Sequence, residues 1–134
     1  LRGAIETGQV FWDSSELVGP AFIKTHVLES KWAKSSRIII GSSFNKMIRS
    51  TIEKSPELQP HICRYLLKDS DGYIIVNPQK LTEDHDKQSI LESLIRMRDK
   101  CSDYFQKEKY RNLINVVQLN EDSTNLTIEQ LGDY

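Results

Sequence analysis

Arg37-Ile38-Ile39-Ile40-Gly41 is the stretch whose reading decides the fold. Three consecutive β-branched side chains favour an extended chain, and an uninterrupted apolar run suits a strand covered on both faces. Such a strand predicts a sheet with helices packed on it. Working outward, Gly19-Pro20 predicts a helix start, because proline loses nothing in a first turn whose N–H groups are unpaired. Phe22, Ile23 and Val27 recur at helical intervals and carry that helix from Pro20 to about Ala33. On the other side, Phe44, Met47, Ile48 and Ile52 share one face of a second helix, Ser43 to Lys54, with Pro56 and Pro60 after it.

The flanks complete the order of elements. Leu1 to Ile5 and Gly8 to Trp12 read as two short strands around a turn at Glu6-Thr7-Gly8, and Asp13-Ser14-Ser15-Glu16 reads as a polar loop. Cys63 to Lys68 and Tyr73 to Asn77 flank Asp69-Ser70-Asp71-Gly72, and Asp-Gly between two apolar runs signals a hairpin. Thr82 to Asp86 offers caps for a long helix from about Lys87 to Lys107. Its apolar face is Ile90, Leu91, Leu94, Met97, Cys101, Tyr104 and Phe105. Tyr110 to Leu119 continues that helix or forms a last short element. The polar, acidic residues 120–134 are expected to form a loose tail beyond a single α/β (α+β) domain over residues 1–119.

Composition narrows the class of function. The chain has 134 residues, 38% hydrophobic and 28% charged, which suits one globular domain or a piece of one. Its net charge of -1 favours neither nucleic acid nor a membrane as partner. No apolar run approaches the roughly 20 residues that span a bilayer. The opening Leu1-Arg2-Gly3-Ala4-Ile5 lacks the apolar centre of a signal peptide and has no Met, so further residues are expected upstream. Cys63 and Cys101 form no CxxC pair and read as two reduced thiols of a cytoplasmic protein, with a single disulfide as the alternative. His26, His61 and His85 lack ligand spacing, so no metal site is assigned.

No P-loop, GxSxG or HExxH pattern is present. Asp69 and Asp71 read as a polar hairpin tip, with metal carboxylates as the alternative. Lys31, Lys34 and Arg37 read as a solvated helix end, with a phosphate site as the alternative. Trp12 and Trp32 read as packing residues, with base stacking as the alternative. The helix start at Gly19-Pro20 is a candidate anion site, since free N–H groups and the helix dipole meet there.

Arg2-Gly3-Ala4-Ile5-Glu6-Thr7-Gly8, Val18-Gly19-Pro20-Ala21-Phe22-Ile23, Leu28-Glu29-Ser30 and Arg37-Ile38-Ile39-Ile40 together resemble the class III nucleotidyl (adenylate/guanylate) cyclase pattern. The match is nearest a divergent bacterial branch of that family, and Asp71 to Pro78 resembles a later strand of that branch. The resemblance implies the C-terminal portion of a ferredoxin-like, nucleotide-cyclase-like sheet, from a bacterial signalling or antiviral-defence protein. Such proteins close the 3′-hydroxyl of a nucleoside triphosphate onto its α-phosphate, as phosphorus–oxygen lyases. It further implies Mg or Mn held by an Asp pair, which would lie before Leu1, and a homodimer whose two domains share each site. Carried over by position, base reading falls on Glu16; the other nucleotide-binding candidates are Gly19, as the helix start open to phosphate, and Lys24, as a cation of the same helix within reach of a phosphate. The ribose-orienting Asn and the charge-stabilising Arg of the family fall on Ile23 and Val27, and neither apolar side chain can do that work. Lys24 and His26 lie on the same helix, on faces rotated away from Ile23 and Val27. No catalytic residue is assigned, and the chain alone is expected to bind no metal and to be inactive. The alternative functions are a catalytically degenerate nucleotide-binding or dimerisation module, and a protein-interaction domain built on the long helix.

Overall fold

The computed structural model describes residues 2–33, 36–81, 86–119 and 126–132. Along them run β1 (Gly3–Ile5), β2 (Phe11–Trp12), β3 (Leu17–Val18), α1 (Pro20–Trp32), β4 (Ile38–Ile40) and α2 (Ser42–Lys54). Next come α3 (Gln59–Cys63), β5 (Leu66–Lys68) and β6 (Ile74–Val76). The last three helices are α4 (Lys87–Lys100), α5 (Tyr104–Leu119) and α6 (Ile128–Leu131). The architecture is α+β: a four-stranded mixed sheet in the order β1-β4-β6-β5, with helices packed on both faces. β1 lies parallel to β4, with Gly3 opposite Ile38 and Ile5 opposite Ile40. β6 is antiparallel to both β4 and β5.

The isoleucine run builds both halves of the core. Side chains alternate along a strand, so Ile39 and Ile40 leave β4 on opposite faces. Ile40 joins Ile74 and Leu66 beneath α2, α3 and α6, through Ile48, Ile52, Cys63, Leu126 and Leu131. Ile39 joins Ile75 and Leu67 beneath α1 and α5, through Ala33 and Val116. Burying each isoleucine contributes about 1.5–3 kcal/mol, so these strands are the stable centre of the domain. The β5–β6 hairpin closes as its sequence predicts: Gly72 takes φ +87 and donates its N–H to the Asp69 carbonyl at 2.9 Å.

Three expectations are corrected. β1 and β2 both form but do not pair with each other: β1 takes β4 as partner and β2 takes β3. The polar link from Glu6 to Gln9 leaves the sheet, and Asp13 rather than Gly8 turns the second ribbon. The long helix breaks, because Cys101 is extended (ψ 132) and Asp103 caps a new helix by accepting from the Gln106 N–H at 2.9 Å. Ile90, Leu91 and Leu94 of α4 then fold back onto Ile114 and Val117 of α5. Finally, residues 126–132 are not a loose end. Thr127 and Gln130 form a reciprocal capping box, and Leu131 is fully buried.

Candidate functional site

Because β1 and β4 are parallel, the chain leaves both at the same end of the sheet, with Glu6 following one and Gly41 the other. Open α/β sheets receive ligands outside such carboxyl ends. Here Glu6, Gly41 and Ser42 form one wall of an open depression of about 340 Å³. The opposite wall comes from α1 through Ile23, Lys24, Val27, Leu28 and Trp32.

The polar wall is already organised. Glu6 Oε1 accepts from the N–H groups of Ser43 at 2.9 Å and Phe44 at 3.0 Å, so its carboxylate occupies the positive end of α2. Gly41 makes room for it: a β-carbon there would sit within 2.5 Å of Glu6 Cγ and Oε1. An external phosphate therefore finds that helix end filled by the protein's own anion. The α1 wall is apolar apart from Lys24.

The residues singled out by the sequence are distributed as follows. Lys24 lines the depression together with Ile23 and Val27, so the expectation that helical rotation carries it to a different face is corrected. Gly19 is buried and starts α1 with φ +149. A β-carbon on it would meet the Gln9 carbonyl oxygen at 2.6 Å and Val10 Cα at 2.8 Å. Its work is thus to let the β2 segment cross the start of α1, where Gln9 accepts from the Ala21 N–H. Glu16 is exposed at the turn of the β2–β3 hairpin, outside the depression. That turn is held by Asp13, whose Oδ1 accepts from the N–H of Ser15 at 2.8 Å and of Glu16 at 2.9 Å. These hydrogen bonds hold the Asp13 carboxyl below the ordinary range.

Arg37 belongs to a different cluster, which the sequence did not foretell. Its guanidinium, only 8% exposed, binds Asp69, Asp71 Oδ2 at 2.6 Å and the Trp32 carbonyl at 2.8 Å. The Tyr73 ring lies 5.9 Å from it and 5.9 Å from the Trp32 ring. Burial works to raise the Asp71 carboxyl, but the hydrogen bond and charge of Arg37 outweigh it and hold it below the ordinary range. Asp69 and Asp71 thus act as counter-ions that clamp the β5–β6 tip to the start of β4. Of the three residues read as a solvated helix end, with a phosphate site as the alternative, Lys34 lies outside the described residues, Lys31 is exposed as expected, and the Arg37 side chain is instead buried and committed to this cluster.

Both cysteines are free, and burial pushes the Cys63 thiol up. Among the described residues no group of three or more His, Cys, Asp or Glu is placed to hold a metal ion. No helix among them is long and apolar enough to cross a membrane. The fold and site define an α+β domain with an open, mostly apolar depression at the carboxyl ends of two parallel strands. The chain matches no protein-family model, no curated protein and no solved structure.

Proposed function

We propose that this chain works as part of a nucleotide-cyclase-like module that pairs with a second copy of itself. In this reading it holds a nucleoside triphosphate at the depression without supplying the transition-state groups. The observation that carries the pairing is one apolar surface. The β2–β3 hairpin and the first half of α1 expose Val10, Phe11, Trp12, Leu17, Val18, Phe22 and Ile23. Phe11 and Trp12, 68% and 82% exposed, present about 300 Å² between them, already the size of a monomer's largest usual patch. The remaining five bring the surface toward the roughly 800 Å² per partner of a standard interface. An isolated two-stranded ribbon is marginal in water, so a covering partner is the natural role for it.

The degenerate character rests on Ile23 and Val27. They stand where the resemblance calls for an Asn and an Arg, and they line the depression as apolar side chains that cannot stabilise developing phosphate charge. A catalytic reading is favoured by one feature, the Lys24 ammonium in the same depression. The separating experiment incubates the protein with each of the four nucleoside triphosphates and Mn²⁺, reading product by mass spectrometry and binding by thermal shift. The proposal expects a thermal shift that Lys24→Ala removes, and no cyclic product. A cyclic product refutes the degenerate reading, and the absence of any shift refutes nucleotide binding.

A further inference from the structure

Away from the depression, the bend between α4 and α5 exposes a second apolar cluster. Met97, Tyr104 and Phe105 are 52%, 65% and 74% exposed, and the two rings meet edge to face at 5.9 Å. A continuous helix would set these residues on a face with Leu91 and Leu94. The break at Cys101 to Asp103 instead turns them outward at the tip of a helical hairpin. Cations stand on the same faces by helical spacing: Lys100 three residues after Met97, Lys107 three after Tyr104, and Lys109 four after Phe105.

The local charge departs from that of the whole chain. Over residues 96–111, Arg96, Arg98, Lys100, Lys107, Lys109 and Arg111 outnumber Asp99, Asp103 and Glu108, an excess of three positive charges in a chain of net charge -1. All three acids are engaged within the tip: Asp99 by Arg98, Glu108 by Arg111, and Asp103 as the cap of α5. Among the described residues no ion pair engages Arg96, Lys100, Lys107 or Lys109.

We propose that the α4–α5 bend docks on an anionic lipid surface. Met97 and the two rings enter the boundary between headgroups and acyl chains, and the lysines meet the headgroup phosphates. Amphipathic aromatic side chains flanked by Lys and Arg suit that boundary, and such a surface lies on a bilayer without crossing it. Met and aromatic rings also suit the centre of a protein interface, but such interfaces are depleted in lysine, and Lys100, Lys107 and Lys109 beside this cluster favour the lipid surface. A single-stranded nucleic acid is disfavoured because an edge-to-face pair offers no open platform for stacked bases. A net charge near zero gave no sign of this surface, since the sum over the chain conceals a local excess.

The test is co-sedimentation of the chain with vesicles of phosphatidylcholine, alone or with one-third phosphatidylserine. Binding is expected only to the phosphatidylserine vesicles, with release at about 1 M salt, where the Debye length falls to about 3 Å. Tyr104→Ser with Phe105→Ser, and separately Lys107→Glu with Lys109→Glu, should each lower the bound fraction about tenfold or more while Tm stays at the parent value. Binding without dependence on phosphatidylserine, undiminished binding by both variants, or stronger retention on a single-stranded oligonucleotide or an acidic polypeptide overturns the proposal. This surface is independent of the depression and the hairpin, so its failure leaves the proposed function standing.

Discussion

Glu6 and Gly41 make a quantitative claim that a double-mutant cycle can settle. The Glu6 carboxylate caps a helix whose own residues supply no side-chain cap, through two N–H donors at 2.9 and 3.0 Å. Losing a carboxylate cap costs about 1–2 kcal/mol, so Glu6→Ala should lower stability by that amount. In a chain of 134 residues the loss corresponds to about 4–7 °C in Tm. Gly41→Ala should cost a similar amount by a different route, because its β-carbon would fall within 2.5 Å of Glu6 Cγ and Oε1 and displace the carboxylate. Backbone strain contributes nothing, since Gly41 has φ -77 and alanine adopts that freely. The two effects should therefore fail to add. With Glu6→Ala already present the clash is gone, and Gly41→Ala becomes neutral or stabilising by about 0.4–1 kcal/mol through the reduced freedom of the unfolded chain. The expected coupling is about 1–3 kcal/mol, measured by urea denaturation of the four proteins. Equal destabilisation by Gly41→Ala in both backgrounds refutes the cap and the clash together.

Other expectations follow from the core and the buried ion cluster. Asp69→Ala leaves the Arg37 guanidinium buried with one carboxylate in place of two and should cost about 1–3 kcal/mol by chemical denaturation. Because the Asp71 carboxyl is depressed in the folded state, its contribution is present above the unfolded value of about 3.9 and is lost as pH falls through the lower folded value. Acid titration of Asp71→Asn should accordingly show a shallower loss of stability below about pH 4 than the parent, and identical slopes would contradict the pairing. Leu131→Ala opens the core over Cys63 and should cost about 2–5 kcal/mol. It should also speed labelling of the Cys63 thiol by a maleimide, and an unchanged rate would show that α6 does not cover that residue.

What the sequence disclosed divides along physical lines. The β-branched run at Ile38 to Ile40 and the Asp71-Gly72 turn act locally, and both elements form where they are read. α1, with proline at its start, and α2, with its apolar face, are legible for the same reason. Pairing is not local: β1 has as much β-branched and apolar character for β2 as for β4, and only the crossover through α1 makes β4 its partner. The break before α5 did leave a signal, Ser102-Asp103 ahead of Tyr104, but the apolar spacing through Tyr104 and Phe105 runs across it and hides the cap. The seating of residues 126–132 depends on two leucines finding a distant core, which no polar average over the tail discloses. At the site, Lys24 was legible as a charge on α1. Glu6 was not, because its role exists only once β1 and β4 lie parallel and bring the start of α2 to it.

Sedimentation equilibrium of the chain at micromolar concentration shows whether two copies pair through the β2–β3 hairpin. A reversible dimer is expected, which Phe11→Ser with Trp12→Ser converts to a monomer of unchanged helical content, since both side chains are exposed in the single chain. A parent chain that stays monomeric throughout, or a dimer indifferent to those two substitutions, would contradict that pairing.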